Sequence, residues 1–461
     1  MRLLGARKSS PWAAIPLVLS TVVGVCQAIQ LDVNDEDSII AAAKVVAKGM
    51  VEYYHGNEPG QIPGNLPQPY YWWECGAMFG ALIDYWYFTG DDQYNQIVID
   101  GMMHQIGTAN AFMPPNQTQS LGNDDQAFWG IAAMMAAERG FPNPPEGSPQ
   151  WLALAQAVFN SQAARWEPAT CGGGLRWQIF PLNNGYDYKN TISNGCFFHL
   201  GARLARYTGN KTYADWAVKT YDWSRNVGLI TDDYKFVDGG KVPSNCTAKD
   251  PVQWTYNGGI FLSGAAFMYN NTDNVTDTAY WKQELQKMLD AQAIYFQDNK
   301  IMYEVACEPY GTCNIDQRSF KAYLSRFMGI TAQLADFTHD KIMSWLAQSA
   351  TGAAQNCIGG TNKQTCGGRW TLDKKWDGNF GVGEQMSALE VFQSLLAPRY
   401  RGPCTSGTCG NSTGDPSAGT GSAIQSGKYN RPATTGDKVG AGFLTTLCLA
   451  LLLGGTYWLV L

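Results

Sequence analysis

The chain has 461 residues, enough to bury a large core, and its formal net charge of −6 offers no basic face for neutralising phosphates, so a nucleic-acid partner is excluded. Charged residues make up only 16 %, whereas aromatics reach 13 % with 16 Trp. That is more Trp and Tyr than a core needs, and it suits stacking against sugar rings.

The chain opens with Arg2, Arg7 and Lys8, an apolar run from Trp12 to Val25, and Cys26-Gln27-Ala28 with a small residue at the end. This pattern predicts a secretory signal peptide over 1–28 and a mature chain exported from the cell. Ser38 to Tyr54 then reads as an amphipathic helix, followed by loop to Pro69. A second helix runs from about Trp73 to Phe88 and is closed by Thr89-Gly90-Asp91.

That closing signal recurs. Gly76 precedes Thr89 as Gly195 precedes Thr208, and the same interval separates Gln126 from Arg139-Gly140, Gly258 from Asn271 and Ser325 from Thr338. A last apolar helix follows Gly381-Val382-Gly383-Glu384. The resulting six Gly/Ala/aromatic helices alternate with more polar, amphipathic stretches near 38–54, 93–107, 149–165, 211–226, 279–296 and 340–350. Six helices buried all round and six facing water predict an all-α fold, an (α/α)6 barrel of inner and outer helices spanning 29–400. Loops ahead of the inner helices are long and rich in Gly, Trp, Asn and Asp, so the cleft is expected at that end. Two of them carry similar phrases, Cys171-Gly172-Gly173-Gly174-Leu175-Arg176-Trp177 and Cys366-Gly367-Gly368-Arg369-Trp370, each expected to form a short β-hairpin at the rim.

From 401 to 438 Ser, Thr, Gly and Pro dominate, as in a flexible stalk. Residues 439–461 are apolar with no charge after them, and small residues lie upstream between Ser417 and Gly427. The pattern favours a glycosylphosphatidylinositol (GPI) signal with a removed tail over a membrane span. Setting aside Cys26 and Cys448 leaves ten cysteines, an even number that predicts disulfides. Cys307 with Cys313, Cys357 with Cys366 and Cys404 with Cys409 can close small loops, while Cys75, Cys171, Cys196 and Cys246 would pair over distance. Sequons at Asn116, Asn210, Asn245, Asn270, Asn274 and Asn411 fit a secreted glycoprotein. The histidines at 55, 104, 199 and 339 show no ligand spacing, and neither a metal nor a cofactor is expected.

The chemistry is expected in Leu121-Gly122-Asn123-Asp124-Asp125-Gln126-Ala127-Phe128-Trp129, where paired carboxylates begin an aromatic helix. Side-by-side carboxylates titrate as a pair, one ionised while the other keeps its proton, which glycoside hydrolysis requires. The alternative is an ordinary N-cap and a solvated first-turn acid.

The Asn-Asp-Asp-Gln-Ala-Phe-Trp phrase, on the fourth helix of such a barrel, resembles glycoside hydrolase family 76, the endo-α-1,6-mannanases, over roughly residues 30–400. With the signal, sequons and tail, the chain is similar to the family's fungal GPI-anchored cell-wall members. The resemblance implies a retaining mechanism with Asp124 as nucleophile and Asp125 as general acid/base. Its implied donor is α-1,6-mannan or a GPI-core glycan, and its acceptor is water or a wall polysaccharide. Trp72, Trp73 and Glu74 precede the second helix as Asn123, Asp124 and Asp125 precede the fourth, so they are expected at the same cavity with Gln126 and Trp129. Asn194 and Asn257 take equivalent places on the next two inner helices, unless they only cap them. Arg176 and Trp177 are candidates for a sugar subsite, and Asp238 resembles a further acidic residue of the family's cleft. A catalytically inactive mannan-binding wall protein is the competing reading.

Overall fold

The computed structural model describes residues 29–272, 275–421 and 434–460. The expected signal peptide, the sequon at Asn274 and part of the expected stalk lie outside them.

The inner ring consists of α2 (Trp72–Thr89), α4 (Asn123–Arg139), α6 (Thr191–Thr208), α8 (Thr255–Asn270), α10 (Phe320–Leu334) and α12 (Val382–Ser394). Each packs on the next, and α12 returns to α2, closing the barrel. The outer ring is α1 (Glu36–Val51), α3 (Asn95–Gln105), α5 (Trp151–Ala164), α7 (Lys211–Asn226), α9 (Val275–Ala291) and α11 (His339–Asn356). Composition explains the division. α4 buries all but one of its residues and is built from Ala, Gly, Met and aromatics, whereas α7 and α9 bury one stripe and present Lys, Asp and Glu to water. A last helix, α13 (Thr435–Val460), is apolar, and its residues over 435–458 are exposed.

Because each inner helix returns through an outer one, all six inner helices run the same way and their N-termini gather at one end. Toward the other end lies a buried ionic layer. Arg139 bonds Asp84 at 2.8 Å, Arg203 bonds Glu138 at 2.6 Å, and Arg326 bonds Glu390 at 2.5 Å while lying 3.9 Å from Asp84. These pairs link α2, α4, α6, α10 and α12.

The rim differs from the expected pair of hairpins. A three-stranded antiparallel sheet forms instead from β1 (Tyr188–Asn190), β2 (Val237–Lys241) and β3 (Lys249–Gln253), in the order β1-β2-β3. The 171–177 phrase is no hairpin because Gly172, Gly173 and Gly174 have φ of 66°, 144° and 89°, a left-handed path tucked against the indoles of Trp166 and Trp223. The 366–370 phrase likewise forms no strand. The nearby bridge pairs Gly359 with Thr365, inside the loop closed by Cys357 and Cys366.

The three short-range disulfides form as expected, and Cys171 pairs with Cys246. Cys75 and Cys196 are not paired; both are buried free thiols. They sit on α2 and α6, and α4 stands between those helices.

The stalk expectation also fails in its first half. Residues 402–421 form a strap on the barrel: Cys404 N–H donates to the Glu138 carbonyl, Ser406 N–H to that of Tyr207, and Leu152 N–H to Ser412 Oγ. Farther on, Asn160 Nδ2 donates to the Pro416 and Ala418 carbonyls, so the strap climbs along α5. A Ser/Gly-rich composition describes a free linker only where outer-helix side chains leave its backbone groups unpartnered, and here they do not.

Candidate active site

At the N-terminal end of the inner ring lies a cleft with two lobes. The inner lobe, about 250 Å³, is bordered by Trp73, Asp124, Asp125, Phe128, Trp177, Tyr188, Asn190, Asp238, Trp254, Tyr256, Asn314, Asp316, Gln317 and Phe320. The outer lobe, about 360 Å³, is bordered by Tyr71, Trp72, Gln119, Ser120, Leu121, Gln178 and Asn184. Trp73, Asp125, Trp177 and Asp316 border both, so they form the neck between them. Asp124 borders only the inner lobe.

The carboxylate pair owes its place to the entry into α4. Residues 121–123 pair with 177–179: Asn123 N–H donates to the Trp177 carbonyl at 2.8 Å and Ile179 N–H to that of Leu121 at 3.1 Å. Asn123 itself is buried, bonding the Arg176 carbonyl and receiving Arg165 Nε, both at 2.8 Å. Gly122 leaves room that no other residue could, since an added Cβ would meet Asp124 Oδ1 at 2.3 Å.

Asp125 Oδ2 reaches back to accept the Gly122 N–H at 2.7 Å, half of a capping box, and Asp124 Oδ1 accepts the Asp125 N–H at 3.1 Å. Asn190, the N-cap of α6, donates from Nδ2 to Asp124 Oδ2 at 3.2 Å.

Burial dominates the electrostatics. It pushes Asp124 up to about 7, against the Asn190 and backbone hydrogen bonds that favour its anion. Asp125 is raised well above the carboxylate range, by burial first and the Asp124 charge second. Burial and mutual repulsion therefore keep a proton on the pair near neutrality. Asp238 is also raised by burial; it accepts Tyr188 Oη at 2.7 Å and Trp254 Nε1 at 2.9 Å. Asp316, raised by burial too, accepts Trp73 Nε1 at 3.1 Å. Among the described residues no grouping of His, Cys, Asp and Glu has the arrangement of a metal site.

The cleft therefore brings together Asp124, Asp125, Trp72, Trp73, Trp177 and Asp238. Other candidates lie behind it. Trp129 is fully buried, stacked between Trp72 and Phe112, and cannot meet a sugar. Gln126 is buried on the Ala111 carbonyl and Ser161. Asn194 holds the Leu175 backbone at 2.8 Å and 3.0 Å, and Asn257 is buried. Arg176 pairs with Glu167 at 3.1 Å and lies over the Tyr186 ring. Glu74 is buried beneath the neck, with neither carboxylate oxygen hydrogen-bonded. The reason is helical geometry. Trp73, Asp124 and Tyr256 are each the second residue of their helix, and that position faces the axis. Asn194 and Gln126 stand two places later and Asn257 one, rotated about 100° per residue, while Asp125, also one place later, reaches the cleft because its carboxylate folds back over the helix start to the Gly122 N–H.

Tyr188, Asn190, Trp254, Tyr256, Asn314, Asp316, Gln317 and Phe320 were not expected here. Tyr256 was discoverable from the helix frame that singled out Asn257. The loop residues carry no comparable signal.

The model of glycosyl hydrolase family 76 matches residues 38–407. The chain is 49 % identical over 435 residues to the mannan endo-1,6-alpha-mannosidase DCW1 of Saccharomyces cerevisiae, covering 94 % of this chain and 95 % of that one. It is 44 % identical to DFG5 of the same yeast, with 94 % of each covered. The crystal structure of Dfg5 from Chaetomium thermophilum in complex with glucosamine superposes with a TM-score of 0.82 at 45 % identity, covering 86 % of this chain and 99 % of that one. An α-1,6-mannanase from Salegentibacter shares the fold at 16 % identity, with a TM-score of 0.62 over 78 % of this chain and 99 % of its own.

Proposed function

Because this chain belongs to glycosyl hydrolase family 76, we propose that it is a retaining glycosidase cleaving α-1,6-linked mannose, with Asp124 as nucleophile and Asp125 as general acid/base. One observation carries the division of roles: Asp124 borders the inner lobe alone, whereas Asp125 borders both. The nucleophile needs to reach only the anomeric carbon of the sugar whose bond breaks. The acid must reach the glycosidic oxygen, which lies where donor and leaving sugar meet. The hydrogen bonds agree, since Asp124 accepts from Asn190 Nδ2 and from the Asp125 N–H, both of which favour its anion.

The reaction follows from these positions. Ionised Asp124 attacks the anomeric carbon while Asp125 gives its proton to the departing oxygen, leaving a mannosyl ester on Asp124 and an anion on Asp125. Asp125 then takes a proton from the incoming hydroxyl as its oxygen displaces Asp124, restoring both groups. The relatives named mannan endo-1,6-alpha-mannosidases support mannose as the sugar.

The aromatic outer lobe favours transfer over hydrolysis. Trp72, Trp73 and Trp177 provide stacking surface for an acceptor sugar, which then competes with water. On this reading a GPI-core glycan is the donor and a wall polysaccharide the acceptor. The location fits: the chain is read as exported, and α13 is, among the described residues, the one helix long and apolar enough for a membrane or a GPI signal. The test is product analysis with short α-1,6-mannosides and a labelled GPI-core donor, with and without β-glucan oligosaccharides. Label in a lengthened saccharide establishes transfer, and label only in free sugar leaves a plain endo-mannosidase. Binding without turnover would make this an inactive mannan-binding protein.

A further inference from the structure

Asp316 stands at the neck, bordering both lobes with Asp125, yet the two-carboxylate mechanism gives it no task. Its Oδ1 is fixed by Trp73 Nε1 at 3.1 Å, while Oδ2 carries no hydrogen bond to the described protein residues. The loop bearing it is braced on all sides. Asn314 and Gln317 exchange backbone-to-side-chain bonds at 2.9 Å and 3.0 Å, and Ser319 N–H closes on the Asp316 carbonyl at 2.9 Å. Arg318 ties the loop to the Cys313 carbonyl at 3.1 Å and to Glu384 at 3.4 Å. Just upstream, Cys307 and Cys313 are joined.

No Lys, Arg or His borders either lobe. A carboxylate so placed has no cation to balance it, and its natural partners are the hydroxyl donors of a sugar. From the mannosidase reading above, we infer that Asp316 is a positioning residue for the leaving-group half of the reaction, binding the outer-lobe sugar through Oδ2 and acting by its charge on Asp125. An anion beside the general acid favours its protonated form, the form needed when the glycosidic bond breaks. The same Oδ2, aimed by the Trp73 bond to its neighbour Oδ1, would orient an acceptor hydroxyl toward Asp125 in the second half.

The experiment compares wild type, D316N and D316E on α-1,6-mannotetraose and on α-1,6-mannobiosyl fluoride, whose leaving group needs no proton. Asn keeps an acceptor for Trp73 and removes the charge. The alkaline limb of kcat/KM for D316N on the mannotetraose is expected to move down by about half to one pH unit. Its KM for an added acceptor should rise several-fold, and its loss on the fluoride should be at least tenfold smaller than on the glycoside. D316E, which keeps the charge, should keep the limb. An unmoved limb in D316N, or equal losses on both donors, overturns the inference while wild-type turnover leaves the mannosidase reading standing. Wild type inert on both donors overturns the two together. A D316S variant repeats the test, and failure of both uncharged variants to fold beside a normally active D316E makes the residue structural and overturns the inference.

Discussion

Asn190 Nδ2 donates to Asp124 Oδ2 at 3.2 Å while Asn190 Oδ1 accepts the Ser193 N–H at 3.3 Å, so one side chain caps α6 and holds the carboxylate of α4. Replacing Asn190 with Ala removes a bond that favours the Asp124 anion. The value of about 7 for Asp124 then rises, and the acid limb of kcat/KM moves to higher pH. Loss of a hydrogen bond to a charged group, about 1.5–3 kcal/mol, corresponds to a fall of roughly ten- to a hundredfold near neutrality. A pH-rate profile of the variant checks it; an unchanged acid limb refutes it.

Asp124→Asn and Asp125→Asn should each abolish turnover. Because the two act as one unit, the double variant should be little worse than either single one. Retention of more than a few per cent of activity in both single variants would dismiss the pair as the reaction centre.

The same Asp124→Asn change should make the fold more stable at alkaline pH. Burial raises the Asp124 carboxyl in the folded state, so ionising it opposes folding. Wild-type stability from this group is complete below the unfolded value of about 4 and is lost as pH rises through the folded value of about 7. Thermal midpoints of variant and wild type should therefore agree near pH 4 and separate, the variant higher, by pH 8. A gap that does not widen with pH excludes this account.

In the ionic layer, Arg203→Met strands the buried Glu138 carboxylate. Loss of one partner of such a pair costs about 3–5 kcal/mol, whereas Glu138→Gln together with Arg203→Met should cost clearly less. Chemical denaturation of Arg203→Met, of Glu138→Gln alone and of the double variant decides this, and additive losses would show that the pair is not coupled.

A chain ended at Arg401 loses the strap and the disulfide between Cys404 and Cys409, and with them bonds to α4, α5 and α6. It should melt several degrees below a chain ended at Gly421. Equal melting points would mean that the strap adds nothing to the barrel.

The barrel was legible because its inner helices cannot hide their composition. A helix buried on every face must be Gly, Ala and aromatic, and its Thr-Gly or Arg-Gly closure repeats at one spacing, from Gly76 to Thr89 and from Gly195 to Thr208. The pair Asp124 and Asp125 was legible for the same reason, as charge at the start of such a helix. What stayed hidden was direction. Sequence proximity marked Trp129 and Gln126 as site residues, but the helix turns them into the core. Asn190, at the end of a rim strand, and Asp316, in a loop, were missed because the place of a residue outside the helices depends on the elements it is braced against, which lie far away in sequence.

The strap also sets how far the barrel can stray from its proposed anchor. Asn160 on α5 holds the Pro416 and Ala418 carbonyls, and Thr420 folds back on the Ser417 carbonyl, so the chain is tied to the barrel as far as Ala418. If an anchor is attached within the range from Ser417 to Gly427, a site beyond Gly421 would leave the strap undisturbed. The span from 421 to 427, fully extended at about 3.3–3.6 Å per residue, reaches only ~20 Å. With the anchor proposed above, so short a leash would confine the enzyme to a thin layer above the membrane, and lengthening that span should widen the zone of wall it can reach without altering its chemistry.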